Sequence, residues 1–398
     1  MQLWFVEYFF AFVGLFVAVL FTLVYLRNMG NIHEKKREIT GWTPTVSIII
    51  PAYNEEDYIK GCVNSVLSLD YPKEKLEIIV VDDGSKDDTA KIAQKLAKEH
   101  KCIKLIRKKN SGKADSLNFA IQRAKGEMVA CLDADSYVSP YSLRRILANF
   151  DSEKVAAVAS AVKVRKARNI LEDVQRVEYL FALFSRKIMN MLQSVTVTPG
   201  PFSIYRRKVL LEVGGFDTKS LVEDQEIALR IQKHGYLINS TTDSDIYTEI
   251  PRSFFELMKQ RTRWQRGGFW NAVKYLGLIN PKYGDLGIIV MPFTMLGYIM
   301  LVVSLSILSY RMITFGEYGI FWGWDLLFLN LNLIHILIIV WIGFLFFWFF
   351  FGMKKMFAHD KFSLRSVVLY LLLYPVLITI FWFSAAYNEI KSGGKFSW

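Results

Sequence analysis

Cysteine is scarce: the 398 residues hold three, Cys62, Cys102 and Cys131, with no CxxC pair and no metal-like spacing. An odd number of thiols on segments that read as strands and helices points to reduced, packed side chains. It argues against a disulfide scaffold and against a cysteine-held metal. Two nucleotide-binding signatures are missing as well. No GxGxxG follows the first apolar run, which excludes a nicotinamide-binding domain, and no GxxxxGK occurs, which excludes a P-loop. There is no internal repeat and no low-complexity tract.

What is present is apolar surface in excess. The chain is 52% hydrophobic and 15% aromatic, yet 22% charged, with a mean hydropathy of +0.23. That is too apolar for an ordinary soluble protein and too charged for a pure membrane bundle, so the average conceals two populations. The net charge of +12 is compatible with nucleic acid, an anionic membrane or a phosphorylated substrate. In a chain with long apolar runs the membrane surface accounts for it, and no nucleic-acid partner is expected.

Four segments have the roughly 20 apolar residues that a membrane-spanning helix needs: Phe9 to Leu26, Leu286 to Tyr310, Leu326 to Phe351 and Val367 to Ala386. No basic residue precedes the first, and Arg27, Lys35, Lys36 and Arg37 follow it. It therefore reads as a retained span with its C-terminal end in the cytoplasm. Lys354, Lys355, Lys361 and Arg365 place the loop between the third and fourth spans on the same side. The tail after Asn388 then falls outside, although it carries Lys391 and Lys395, against the charge rule. The expected organisation is an N-terminal span over 1–27, a cytosolic domain over 28–250, interfacial helices over 251–285 and three spans over 286–398.

The domain alternates short β-rich runs with amphipathic stretches. Val46–Ile50, Glu77–Val81, Cys102–Ile106 and Met128–Leu132 read as strands, with helices over about Glu56 to Leu69 and Thr89 to His100. That pattern predicts βαβ units and a mostly parallel sheet, with ligands at the carboxyl ends of the strands. Two further segments, Asn169 to Ser194 and Arg252 to Leu278, mix large apolar residues with Arg and Lys. Both suit helices in the membrane plane, apolar face in lipid and basic groups at headgroups, and both also suit ordinary packing.

The acidic loops lie on the ligand-binding edge. Pro51-Ala52-Tyr53-Asn54-Glu55 follows the first strand and Asp82-Asp83-Gly84-Ser85 the second. Carboxylates can accept from a base edge and Tyr53 can stack on it. The same residues serve equally as a turn with a helix cap. After the fourth strand, Asp133-Ala134-Asp135 sets two carboxylates one residue apart, hard ligands suited to Mg²⁺ or Mn²⁺, or two solvated turn residues. Lys113 follows Gly112 at a helix start, where a phosphate would sit, although this segment by itself reads more readily as a surface lysine. Glu223 and Asp224 open a later helix. There the dipole favours anions, and Asp224 could act as a general base. In Gln260-Arg261-Thr262-Arg263-Trp264, Gln260, Arg263 and Trp264 share a helix face. They offer a guanidinium fork and a flat ring, or a headgroup-level Trp.

Taken in order, PxYNE, DDGS, GKxxxLN, DxD, ED and QxxRW resemble the processive branch of glycosyltransferase family 2, which includes hyaluronan, chitin, cellulose and poly-N-acetylglucosamine synthases. The resemblance covers about residues 44 to 275. It implies a GT-A (Rossmann-like) α/β domain with a helical transmembrane region, a UDP-sugar donor and Mg²⁺ or Mn²⁺. The implied roles are uridine binding by Tyr53, Glu55, Asp82 and Asp83, and diphosphate contact by Lys113. Asp133 and Asp135 would serve ribose and metal, and Asp224 in the Glu223-Asp224 motif would be the base. Gln260, Arg263 and Trp264 would hold pyrophosphate and acceptor, and Thr198-Pro199-Gly200-Pro201 the acceptor side. Val222 stands where many relatives carry Thr. The implied reaction is inverting transfer to a growing polysaccharide, with single addition to a lipid as the alternative.

Overall fold

The computed structural model describes residues 4–28, 41–315, 343, 350–354 and 363–392. The expected third span, Leu326 to Phe351, lies almost wholly outside them. Helix α1 (Trp4–Arg27) leads to a domain whose strands and helices alternate. These are β1 (Val46–Ala52), α2 (Ile59–Leu67), β2 (Leu76–Asp82), α3 (Thr89–Glu99), β3 (Ile103–Arg107), α4 (Lys113–Ile121) and β4 (Met128–Cys131). Then come β5 (Ser136–Val138), α5 (Ser142–Leu147), β6 (Val155–Ala159), β7 (Val162–Val164) and the long α6 (Ile170–Met191). The domain continues through β8 (Ser203–Arg206), α7 (Arg207–Glu212), α8 (Glu223–Lys233), β9 (Leu237–Ser240), β10 (Ile246–Thr248) and α9 (Phe254–Lys274). Helices α10 (Met291–Phe315), entered through a π-turn at Leu286–Val290, and α11 (Leu364–Ser392) complete the described elements.

Seven strands form one sheet in the order β3-β2-β1-β4-β8-β6-β9, and β5-β10-β7 form a second. β1, β2, β3 and β4 pair in parallel, whereas β8 runs antiparallel to both β4 and β6. The sheet is thus mixed rather than simply parallel. Strand alternation divides the core in two. Ile48 and Ile50 point into one cluster with Ile59, Val63 and Ile146, and Ile49 into the other with Leu117, Leu210 and Ile227. Such a three-layer arrangement leaves the carboxyl ends of β1, β2 and β4 clear of helices, so the loops that follow them carry the polar side chains.

Helix α2 begins at Ile59, later than expected, because the backbone ahead of it is engaged elsewhere. Glu55 N donates to Thr89 Oγ1 at 2.7 Å and Glu56 N to Asp87 Oδ2 at 3.2 Å. Helix α6 takes the packed alternative. Its apolar side, with Val177, Leu180, Phe184 and Ile188, is buried against Tyr25 of α1, Met353 and Val367 of α11 rather than turned outward. Two described stretches are long and apolar enough to cross a membrane, Leu286–Ile307 and Leu364–Lys391, and Phe12–Arg27 is a shorter apolar helix.

Candidate active site

The loops after β1 and β2 are laced together. Asn54 adopts a φ of 55°; its Oδ1 accepts from Lys86 N at 2.8 Å and its N–H donates to Ser85 Oγ at 3.1 Å. Asp82 and Asp83 are buried. Asp82 Oδ1 accepts from Ser85 N at 3.0 Å. Asp83 accepts from Ser111 N at 3.0 Å, Gly112 N at 2.8 Å and Lys108 Nζ at 2.7 Å. The second aspartate therefore fixes the Ser111-Gly112-Lys113 loop and aims Lys113. Its acceptor atoms are already used by the protein. Tyr53, by contrast, is 42% exposed at the end of β1.

A cavity of about 570 Å³ opens beside these loops, with Lys113, Asp133 and Asp135 at one part of its lining and Glu223 and Asp224 at another. Gln260, Arg263 and Trp264 of α9, and Gly200 and Pro201, complete the expected residues that it gathers. Tyr53, Glu55, Asp82 and Asp83 do not line it; they sit on the adjoining loops. Lys113 Nζ lies 2.5 Å from Asp133 Oδ1 and 3.2 Å from Glu223 Oε1, tying the DxD turn to the start of α8. Gly200 is packed against that bridge. A Cβ there would stand 2.6 Å from Lys113 Nζ and 2.8 Å from Asp133 Oδ2, so no larger residue fits without displacing them.

The electrostatics separate the two neighbours at the start of α8. Burial, and then the Glu223 charge, push the Asp224 carboxyl up to about 6, against the pull of Lys113 and Arg263. Burial also opposes the Glu223 charge, but Lys113 and Arg263 outweigh it and hold that carboxyl below its ordinary value. Glu223 is thus the ionised partner of Lys113, and Asp224 is the one poised to take a proton near neutrality. Burial works against the Lys113 ammonium as well, yet Asp133 and Glu223 hold its pKa above the usual range. The Asp224 carbonyl accepts from Thr198 N at 3.2 Å and from Thr198 Oγ1 at 2.9 Å, fixing this turn to the Pro199-Gly200 segment.

The DxD turn carries more negative charge than the protein neutralises. Burial and the Asp133 charge push Asp135 up to about 6. Burial, then Asp135 and Asp133, push Glu55 up to about 7. No group of three His, Cys, Asp or Glu suited to an ion occurs among the described residues. Two hard carboxylates, of which Asp133 is bridged to Lys113 and Asp135 is not, nonetheless fit Mg²⁺ or Mn²⁺, ions that fill their remaining positions with phosphate oxygens and water.

Several lining residues were not singled out by the sequence. Arg186 of α6 lines the cavity and lies close enough to Asp224 for their charges to interact, while burial brings its own pKa down to about 10. Its signal was one basic residue among several on an amphipathic helix, which reads equally as a headgroup contact. Glu178 and Tyr179 line the cavity from the same helix, and Tyr298 from α10. Arg261, expected at headgroups with its neighbours, is instead 1% exposed and held by Glu178 across α6. A buried guanidinium needs such a counter-charge, so it turned inward.

Residues 47–214 match the model of glycosyl transferase family 2. A poly-β-1,6-N-acetyl-D-glucosamine synthase of Staphylococcus epidermidis is 28% identical over 283 residues, covering 68% of each chain. The enzyme of the same name from Staphylococcus aureus strain MSSA476 is 31% identical over 225 residues, 56% of this chain and 54% of the relative. Among solved structures, the mannosyltransferase PcManGT of Pyrobaculum calidifontis, determined with GDP-Man and Mn²⁺, is similar in fold. It has a TM-score of 0.60 at 20% identity and covers 88% of this chain and 98% of that one. Residues 47–214 are thus a family 2 glycosyl transferase domain of the GT-A type, in a chain homologous to the poly-β-1,6-N-acetyl-D-glucosamine synthases.

Proposed function

We propose that this glycosyltransferase is a membrane-anchored, inverting synthase that moves N-acetylglucosamine, or another hexose, from a UDP-sugar to the end of a growing polysaccharide. One observation carries the reading. A single cavity holds the half-buried Asp224 carboxyl, pushed up to about 6 by desolvation and the Glu223 charge, together with the Lys113–Asp133 bridge and the Arg263 and Trp264 side chains of α9. The names of the homologous synthases support the sugar and the polymeric product over addition of one sugar to a lipid.

In this reading Asp224 takes the proton of the acceptor hydroxyl as that oxygen attacks the sugar carbon. Lys113 and Arg263 face the charge that develops on the departing diphosphate. Trp264 offers the acceptor sugar a flat surface, so that its hydroxyl is presented to Asp224. Tyr53 stacks on the base, with Glu55 beside it, while Asp82 and Asp83 hold the loops on which the uridine rests. Asp133 and Asp135 would hold Mg²⁺ or Mn²⁺, which supplies positive charge to the diphosphate when bound. We place residues 28–250 on the cytoplasmic side, because Arg27, Lys35, Lys36 and Arg37 follow α1, and α1 and α10 in the bilayer.

The test is UDP release by the purified full chain over a panel of UDP-sugars, with and without Mg²⁺ or Mn²⁺, followed by sizing of the product. UDP-N-acetylglucosamine as best donor and a ladder of long chains is the expected result. A single-sugar lipid product would overturn the polymer reading.

A further inference from the structure

Helix α11 has the length and composition of a membrane span, and its polar contacts run along that length. Near its start Ser366 Oγ donates to Asp173 of α6. Two turns on, Tyr374 Oη donates to Glu178 of α6 at 3.0 Å. Ser384 Oγ accepts from Thr262 Oγ1 of α9 at 3.0 Å. Near its end Glu389 accepts from Arg266 Nε at 2.9 Å and from Trp270 Nε1 at 3.1 Å.

Between Ser366 and Glu389 the helix rises about 35 Å, at roughly 1.5 Å per residue. The hydrocarbon core of a bilayer is about 30 Å thick. The two helices that bond to α11 along its length belong to the catalytic unit, and Trp382 of α11 also meets Tyr298 of α10, ring centroids 5.7 Å apart. Helix α6 lines the cavity through Glu178 and Arg186, and α9 is fastened to α8 by Lys274 Nζ, 2.7 Å from Glu226 Oε1. A crossing α11 would put Asp173 at one membrane surface and the Arg266–Glu389 pair at the other. The charged cavity between them would then lie in hydrocarbon. Burial along α11 says the same. The buried residues of α11 fall near both ends, Ser366 and Val367 at the start and Phe381 and Ala385 towards the end, while Leu364, Val368, Leu372, Val376, Ile380 and Phe383, with Leu371 and Leu373 beside them, are exposed as an apolar row. A span rising from a domain at the membrane surface would be covered at one end only.

We propose that α11 lies in the plane of the membrane surface beneath the catalytic domain, with both ends on the domain's side and its outer apolar row in the acyl chains. Arg365 and Lys391, exposed at its two ends, then meet anionic headgroups. The tail after Asn388 falls on the same side as the basic loops, so Lys391 and Lys395 no longer oppose the charge rule.

The test uses the full chain in membranes. Cys62 and Cys131 are buried, so Cys102→Ser gives a quiet background. Into it are placed Glu153→Cys as a marker of the domain's side, Arg365→Cys and Lys391→Cys, one at a time. A membrane-impermeant maleimide is applied to intact cells and to inverted vesicles. All three positions should label from one side only, the same for each. Labelling of Lys391→Cys from the side opposite Glu153→Cys overturns the proposal. Independently, Thr262→Cys with Ser384→Cys should form a disulfide in native membranes, detected as a linked peptide by mass spectrometry. Its absence under oxidant, in protein that still releases UDP, overturns the packing on which the proposal stands.

Discussion

Glu178 grips Arg261 through two hydrogen bonds, Nε to Oε1 at 2.9 Å and Nη2 to Oε2 at 2.7 Å, and the same guanidinium lies 4.0 Å from the ring centroid of Trp264. Arg261 thus has two functions on one atom group: it pairs with the Glu178 carboxylate and backs the ring that lines the cavity. Arg261→Lys keeps the charge and loses the planar fork. It should raise KM for acceptor by ~10-fold and leave donor KM nearly unchanged, measured by elongation of a short primer at saturating donor. Glu178→Gln leaves the guanidinium buried without its counter-charge and should cost about 3–5 kcal/mol of stability, read as a lower Tm in detergent.

Asp224→Asn should reduce transfer by roughly 10²–10⁴-fold, the range for loss of a general base, with UDP-sugar affinity retained in a titration. It should also stabilise the fold. The Asp224 pKa is raised above its unfolded value to about 6, so the folded state resists ionising this group, and stability falls as pH rises through that value. An uncharged isostere removes that penalty at pH 8, read as a Tm above the parent's at pH 8 and a smaller difference at pH 5. A variant that retains full transfer would refute the base assignment.

The same shift sets an acid limb on activity. Asp224 is competent when ionised, and burial with the Glu223 charge brings its pKa to about 6. Transfer should therefore fall as pH drops through 6, by ~10-fold per unit well below it, in a kcat profile at saturating donor and metal. Glu223→Gln removes the repelling neighbour and should move the limb to lower pH, although it also weakens the Lys113 bridge and lowers the plateau.

Gly200→Ala tests the close approach at the Lys113–Asp133 bridge. The added methyl would stand 2.6 Å from Lys113 Nζ, so the ammonium must move. Donor KM should rise by ~10-fold or more, as expected when a charged phosphate contact is displaced. The core should be undisturbed, with Tm close to the parent's. An unchanged donor KM would show that Lys113 does not contact the diphosphate.

Much of the fold was legible because its signals are local. The β-branched run Val46–Ile50, followed by Pro51, and the short apolar run Met128–Leu132, between Gly126 and Asp133, read as buried strands from composition and flanks alone. The motif order likewise marked Lys113, Asp133, Asp224 and Trp264 as one set. The acidic loops were ambiguous by sequence because a carboxylate that binds a ligand and one that caps a loop are the same residue. The structure shows Asp83 holding Ser111 and Gly112, a bonding that the sequence alone did not reveal.

The sequence by itself determined the α/β domain, the apolar segments and the residue types of the cavity, since hydrophobic period and motif spacing are properties of the chain. Only the tertiary structure decided which charges meet. Arg261 read as a headgroup contact until Glu178 of α6 was found beside it, Arg186 until the cavity was found to include it, and α11 has the hydropathy of a span while Asp173, Glu178, Thr262 and Arg266 bond to it along its length. Hydropathy measures how apolar a helix is, and a helix in the membrane plane can be as apolar as one that crosses it. Where its few polar groups find partners is a matter of packing, and packing alone distinguishes the two.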